Sequence, residues 1–313
     1  MAEASTTPAD AAPDNWVDRY APAAARPYLR LARVDRPIGF WLLALPCWFG
    51  LAYAALAGPT PPLSTMVWYA ILFGVGALAM RGAGCAYNDI VDRDIDAGVA
   101  RTAARPLPSG AVSLAGAWIF VVGLCLVGLA VLLQFNRATI AVGLASIALV
   151  AAYPFMKRVT WWPQAWLGLT FNWGAVVGFT AATGGVTLGA MLVYAACFFW
   201  TLGYDTVYAH QDKDDDALIG VKSSARALGA KTPAALLGFY GAAIALLTAA
   251  GLAADAPLAF FAALAAPAAH FAWQRARLDI DDGARCLAVF KSNREAGLLV
   301  LAALLLAASA SAS

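Results

Sequence analysis

Two acidic runs hold most of the chemistry this sequence can perform. NDIVDRDID sets four aspartates within residues 88–96, and DTVYAHQDKDDD spans residues 205–216. Each follows a stretch apolar enough to lie in lipid, where carboxylates are costly and mark function. If each run continues the helix before it, Asn88, Asp92 and Asp96 step by four residues and drift slowly along one face. Asp205, Tyr208, Asp212 and Asp216 share a face in the same way. Two such ladders facing each other across a cleft make a site for a hard cation. Mg2+ typically takes one or two carboxylates, substrate phosphate oxygens and several waters. The interleaved Arg93 and Lys213 repel a bare cation but suit an anion bridged to it. The expected ligand is therefore a metal-bound polyphosphate. Within the first run, Asp92, Asp96 and Asn88 are the expected metal-facing stripe, with Asp89 and Asp94 pointing elsewhere.

Three other readings explain less. Asp92-x-Asp94-x-Asp96 resembles the opening of a calcium loop, but the glycine comes one place late at Gly98. Ala103 also stands where the closing glutamate is required. A solvated acidic face is the usual fate of one charge run, yet here two runs are in phase. A shift of 120 residues lays Asp92-Arg93-Asp94-x-Asp96 onto Asp212-Lys213-Asp214-x-Asp216. An ion pathway or transporter would want carboxylates midway along a span, and these cluster at the ends.

Basic loops follow both runs. RTAARPLPSG (101–110) brings Arg101 and Arg105, and IGVKSSARALG (219–229) brings Lys222 and Arg226. Arginine grips phosphate bidentately and lysine acts as a point charge; lipid headgroup anchoring accounts for such residues equally. YPFMKR (153–158) delivers Lys157 and Arg158, which suit a carboxylate, a diphosphate or a simple helix anchor.

The elements that must carry these groups are membrane helices. Of 313 residues, 62% are hydrophobic and 13% charged, against roughly 25% charged in a soluble domain. Apolar stretches of spanning length fall near 38–58, 66–87, 112–133, 138–156, 163–183, 186–204, 233–253, 257–274 and 295–311. The expected fold is all-α, a polytopic membrane protein of nine transmembrane helices. With the N-terminus in the cytoplasm, nearly all 21 Lys and Arg residues lie on that side and only Arg137 lies outside. Both acidic runs then face the cytoplasm, and their 120-residue phase suggests two pseudo-repeated four-helix units plus one helix. Residues 1–30 are expected to form a flexible N-terminal tail and 31–313 a single transmembrane domain. The five cysteines are scattered without a CxxC pair and read as small buried hydrophobes.

These motifs resemble the UbiA superfamily of intramembrane prenyltransferases. The family patterns NDxxDxxxD and DxxxD appear here as Asn88-Asp89-x-x-Asp92-x-x-x-Asp96 and Asp212-x-x-x-Asp216. RVDRPIGFWLLALP (33–46), RTAARPLPSG, YPFMKR and IGVKSSARALG are similar to the 4-hydroxybenzoate polyprenyltransferase branch. The resemblance runs from about residue 30 to the end. It implies two Mg2+ ions held by Asp92 and Asp96 and by Asp212 and Asp216, with Asn88 orienting the first site. It assigns Arg93, Lys213 and Lys222 to phosphate oxygens of a polyprenyl diphosphate. Arg158, with Lys157 or Arg36, becomes the candidate for the carboxylate of an aromatic acid. The implied activity is prenylation of 4-hydroxybenzoate in ubiquinone synthesis, with homogentisate, a naphthoate or a porphyrin or chlorin as other acceptors. The substrates and the lipid bilayer are the expected partners, nucleic acid is not, and a bacterial inner membrane is the expected location.

Overall fold

The computed structural model describes residues 15–98, 102–218 and 220–311. All regular structure among them is helical. In order, the helices are α1 (Trp16–Tyr20), α2 (Arg26–Leu31), α3 (Ile38–Ala57), α4 (Leu63–Ala97), α5 (Leu114–Leu132), α6 (Arg137–Val159), α7 (Pro163–Phe171) and α8 (Trp173–Thr183). There follow α9 (Leu188–Ala209), α10 (Lys213–Leu218), α11 (Ser224–Leu228), α12 (Thr232–Ala253), α13 (Leu258–Ala263), α14 (Ala265–Arg277), α15 (Gly283–Lys291) and α16 (Asn293–Ser311). Seven helical stretches among the described residues are long and apolar enough to cross a membrane. Ile71, Val75, Leu78, Ile119, Val122, Leu126 and Ile147 are exposed, an apolar surface that a soluble monomer does not carry but a lipid-facing helix requires.

The expected spans 163–183 and 257–274 are each broken. The first splits at Asn172, whose Nδ2 donates to Gly168 O and Thr201 Oγ1. A side chain that hydrogen-bonds nearby backbone competes with the helix ladder. The second splits at Leu264, leaving two short helices.

The chain forms two compact units, one comprising the described residues up to Trp41 with Gly74–Gln134, the other Leu42–Phe73 with Phe135 onward. In the first, Leu31 of α2, Ala86 of α4, Ala117 and Val121 of α5 and the loop residues Leu107 and Val112 form one buried cluster, flanked by Tyr28, Ile90 and Phe120. The loop is thus pinned by its own apolar side chains. Its backbone closes through Val112 N to Pro106 O (2.9 Å) and through Gly110 N to Leu107 O (3.1 Å), with Gly110 at φ +76°. That left-handed value is available to glycine at little cost.

The flexible segment expected as far as residue 30 is, from Asn15 onward, helical and docked. Asn15 caps α1 by accepting from Val17 N and Asp18 N. Val17 and Leu31 are buried, Arg30 pairs with Asp18 at 2.6 Å, and Trp16 Nε1 donates to Val34 O. Residues 1–14 lie outside the described residues.

The second unit centres on α9. Tyr194 donates to Leu169 O on α7, and Trp200 Nε1 donates to Asn293 Oδ1 on α16. Tyr240 of α12 stacks on Phe271 of α14 with centroids 4.3 Å apart. Tyr53 of α3 donates to Ala250 O of α12. The α3 and α8 backbones touch: a Cβ on Gly50 would stand 2.1 Å from Ala175 O, and one on Gly178 2.1 Å from Cys47 O.

Candidate active site

The first acidic run is helical throughout, because α4 continues ten residues beyond its apolar stretch to Ala97. Thr102 Oγ1 donates to Asp96 O at 2.8 Å, satisfying a carbonyl at the helix end. Asp92 is 1% exposed and accepts from Asn88 Nδ2 at 3.0 Å. Asp96 is 6% exposed, and its Oδ2 accepts from Arg105 Nη1 at 2.6 Å. Burial pushes the Asp96 carboxyl above the usual carboxylate range; Arg105 pulls it back, while Asp89 and Asp92 add to the rise.

Asp89 does not point away with Asp94. It is 1% exposed, accepts from Arg33 Nη2 at 2.8 and 2.9 Å, and lies 3.5 Å from Arg105 Nη1. Helical arithmetic explains this: Asp89 sits three residues before Asp92 and seven before Asp96, so all three share a face. Counting only in fours from Asn88 hides it. Asp94 is exposed as expected, and Arg93 pairs with it at 3.0 Å on that outer side. Arg36 Nε donates to the buried Asp35 at 3.2 Å. Arg101 lies outside the described residues.

The second run is interrupted. After α9 ends at Ala209, His210–Asp212 form a 3-10 turn and α10 resumes at Lys213. The tighter turn rotates Asp212 and Asp216 relative to Asp205 and Tyr208, so the expected single face is not continuous. Asp212 and Asp216 are half-buried. Tyr208 packs on Phe290 with centroids 4.5 Å apart. Lys213 Nζ donates to Ile280 O at 3.1 Å and pairs with Asp281. That pairing raises the Lys213 pKa and lowers that of Asp281. Lys213 is thus tethered to the turn ahead of α15, a partner that spacing alone does not reveal.

Around α10, Lys222 Nζ donates to Val159 O at 3.2 Å, and its backbone N–H to Lys157 O at 3.1 Å. YPFMKR and IGVKSSARALG are therefore in contact, which brings Lys157 and Lys222 to one place. Arg226 Nη1 donates to Asp216 O at 3.3 Å, and its guanidinium lies 5.3 Å from the Trp161 ring centroid. Arg158 is exposed, its guanidinium 5.9 Å from the Phe155 ring centroid. Beneath them, Thr206 and Ser224 share a 2.7 Å hydrogen bond, and Ser224 N donates to Gln164 Oε1. This buried polar chain fixes the loop to α9 and α7.

The carboxylates and Asn88 are oxygen donors of the kind a hard divalent cation takes. Among the described residues no three His, Cys, Asp or Glu side chains are grouped tightly enough to hold a metal by themselves. An ion that takes only one or two carboxylates from the protein and the rest from substrate phosphate and water fits that donor set.

Residues 43–297 match the family described as UbiA prenyltransferase family. An Arabidopsis thaliana protein named 4-hydroxybenzoate polyprenyltransferase, mitochondrial, is 44% identical over 296 residues, which are 94% of this chain and 72% of that one. A solved UbiA homolog from Aeropyrum pernix K1 superposes with a TM-score of 0.68 at 29% identity, covering 85% of this chain and 97% of the homolog. A UbiA homolog from Archaeoglobus fulgidus bound to GPP and Mg2+ superposes with a TM-score of 0.65 at 18% identity, over 90% of this chain and 99% of that one. The matched profile covers most of the chain, and this chain belongs to the UbiA prenyltransferase family.

Proposed function

We propose that this protein transfers a polyprenyl group from polyprenyl diphosphate to the ring carbon ortho to the hydroxyl of 4-hydroxybenzoate, a step of ubiquinone biosynthesis. The carrying observation is the ladder of half-buried Asn88 with buried Asp92 and Asp96 in a chain 44% identical to a relative named for that activity. Residues 31–313 work as one catalytic domain. The broken helices α7–α8 and α13–α14 are read as crossings, giving nine. The distribution of Lys and Arg supports a cytoplasmic N-terminus with both acidic runs on that side, and a bacterial inner membrane is the proposed setting. The A. thaliana relative is mitochondrial by name, which gives a second setting for the same topology.

Asp92 and Asp96, with Asp212 and Asp216, would hold Mg2+. Bound there, Mg2+ supplies neutralisation of the negative charge that builds on the departing diphosphate. Asn88 sets the Asp92 carboxylate through its hydrogen bond. Arg93, Lys213 and Lys222 are assigned to phosphate oxygens; Lys213 and Arg93 must first exchange their pairings with Asp281 and Asp94. Tyr208, braced on Phe290, is placed at the substrate. The allylic C–O bond breaks, a bond forms between that prenyl carbon and the ring, and the ring loses its ortho proton. An apolar surrounding at the electron-poor prenyl carbon would keep water from it.

The acceptor carboxylate falls to Arg158, with Lys157 beside it; Arg36 is the third candidate, although its Nε already serves Asp35. Arg158→Ala should raise KM for 4-hydroxybenzoate about 10- to 100-fold, the loss expected for a hydrogen bond to a charged group worth about 1.5–3 kcal/mol. The KM for prenyl diphosphate should hold. Steady-state kinetics with each substrate varied decides it, and an unchanged acceptor KM removes Arg158 from the role.

The raised pKa of Asp96 has a signed consequence. A proton on this carboxyl competes with a metal ion, and a raised pKa keeps that proton at higher pH. The Mg2+ concentration for half-maximal rate should therefore climb on acidification sooner than an ordinary aspartate, with a pKa of about 3.9, would allow. Mg2+ titrations at stepped pH measure it. A Mg2+ requirement that stays flat until ordinary carboxylates titrate would contradict the assignment.

A further inference from the structure

We infer that Asp89 and Arg33 are positioning residues that set the geometry of the metal-binding carboxylates through Arg105, without touching metal or substrate. This rests on the reading of Asp92 and Asp96 as metal ligands. The four groups form a chain of contacts inside one compact unit. Arg33, at the end of α2, donates to both oxygens of Asp89. Asp89 stands 3.5 Å from Arg105 Nη1, and the same nitrogen donates to Asp96 Oδ2 at 2.6 Å. Asp89 therefore helps decide where the Arg105 guanidinium rests, and Arg105 fixes one oxygen of Asp96.

Backbone strain points the same way. Arg33 adopts φ +58°, the left-handed position at the end of a helix where glycine is usual. Arg33 N donates to Arg30 O and Val34 N to Leu29 O, both at 3.0 Å, the paired bonds of a Schellman ending. A β-carbon is strained here, so glycine would serve the turn better. What arginine adds is a guanidinium delivered to a buried aspartate 56 residues away. A strained non-glycine residue held by its surroundings marks a functional constraint. The loop that carries Arg105 is likewise fixed, with Leu107 and Val112 in the apolar cluster beside α4 and Thr102 bonded to Asp96 O.

Residues behind metal ligands fix ligand orientation, and their loss typically weakens metal affinity about 10- to 100-fold. Asp89 and Arg33 cannot replace Asp96 as ligands, because Arg33 and Arg105 enclose Asp89. Their effect must run through the carboxylate that Arg105 holds.

The test uses purified full-length protein in detergent, with Mn2+ and inorganic diphosphate as probes and electron paramagnetic resonance to count bound Mn2+. Asp89→Asn and Arg33→Gly are each expected to weaken Mn2+ binding at least tenfold. The metal-free thermal midpoint of Arg33→Gly should fall below that of the wild type, because relief of the strained turn does not offset the loss of the partner that buried Asp89 holds; binding and rates are therefore read on folded protein. Their kcat at saturating Mg2+ should stay within a few-fold of wild type while the Mg2+ requirement rises, a split that a purely structural defect does not give. Asp92→Ala is run beside them. If it loses Mn2+ while both variants bind as wild type does, the positioning role is overturned and the metal assignment stands. If Asp92→Ala also binds normally, the metal assignment falls and this inference with it. Should Asp89→Asn fail to fold, Arg33→Gly alone decides.

Discussion

Replacing Asp92 with alanine should lower kcat by about 10²–10³-fold or more while the protein still inserts into membranes. Removing a single preorganised group that stabilises transition-state charge costs that much in other active sites, and Asp92 is assigned to a metal that does the same work. Its carboxylate is 1% exposed and held by Asn88, so alanine removes a buried charge without opening a lipid-facing surface. Asp212→Ala should fall by a comparable factor, because the second run is assigned the other carboxylate pair. The measurement is product formed per mole of protein in washed membranes, normalised to inserted protein. Turnover above a tenth of wild type in either variant would remove that residue from the metal site.

The second large effect concerns stability. Gly178→Ala should destabilise the protein by about 1–3 kcal/mol or more, the usual range for forcing extra volume into a packed interior. The added Cβ would stand 2.1 Å from Cys47 O, and Gly174 faces the same cysteine, its Cβ position 2.5 Å from Cys47 Sγ. A backbone carbonyl cannot swing aside as a side chain can. Gly174 and Gly178 thus make the small-xxx-small stripe that lets membrane helices approach closely, here α8 against α3. Gly238 on α12 is the contrasting case, with nothing within 4 Å of its Cβ position. Gly238→Ala should be neutral or stabilising by about 0.5–1 kcal/mol, since alanine loses less backbone freedom in a helix. Thermal melts in detergent compare the two. Equal midpoints for Gly178→Ala and wild type would mean that α3 and α8 do not touch.

Much of this was legible in the sequence because lipid imposes simple rules. Helix starts such as that of α3 at Ile38 and α12 at Thr232 follow from apolar length and from a proline at the entrance. The breaks at Asn172 and Leu264 did not show, because apolar length averaged over a span passes over a single Asn172 and over Pro267, three residues past Leu264. The 3-10 turn at His210–Asp212 was hidden for a related reason: spacing arguments assume one helical period throughout. Asp92 and Asp96 emerged from four-residue steps, whereas Asp89 needed the three- and seven-residue steps that place it on the same face. The pairing of Lys213 with Asp281 depends on tertiary approach of segments 68 residues apart, which no local pattern encodes. Residues 15–31 have the composition of a tail, yet Val17, Ala21 and Leu31 are buried and the Arg30–Asp18 pair ties α1 to α2.

An acceptor assay in membranes containing this protein decides whether 4-hydroxybenzoate is the substrate. Labelled polyprenyl diphosphate and 4-hydroxybenzoate are supplied with Mg2+, in parallel with homogentisate and a naphthoate. The expected product is a labelled polyprenyl-4-hydroxybenzoate substituted ortho to the hydroxyl, formed with Mg2+ and stopped by EDTA. Product with another acceptor but none with 4-hydroxybenzoate would contradict that expectation, as would undiminished product after EDTA.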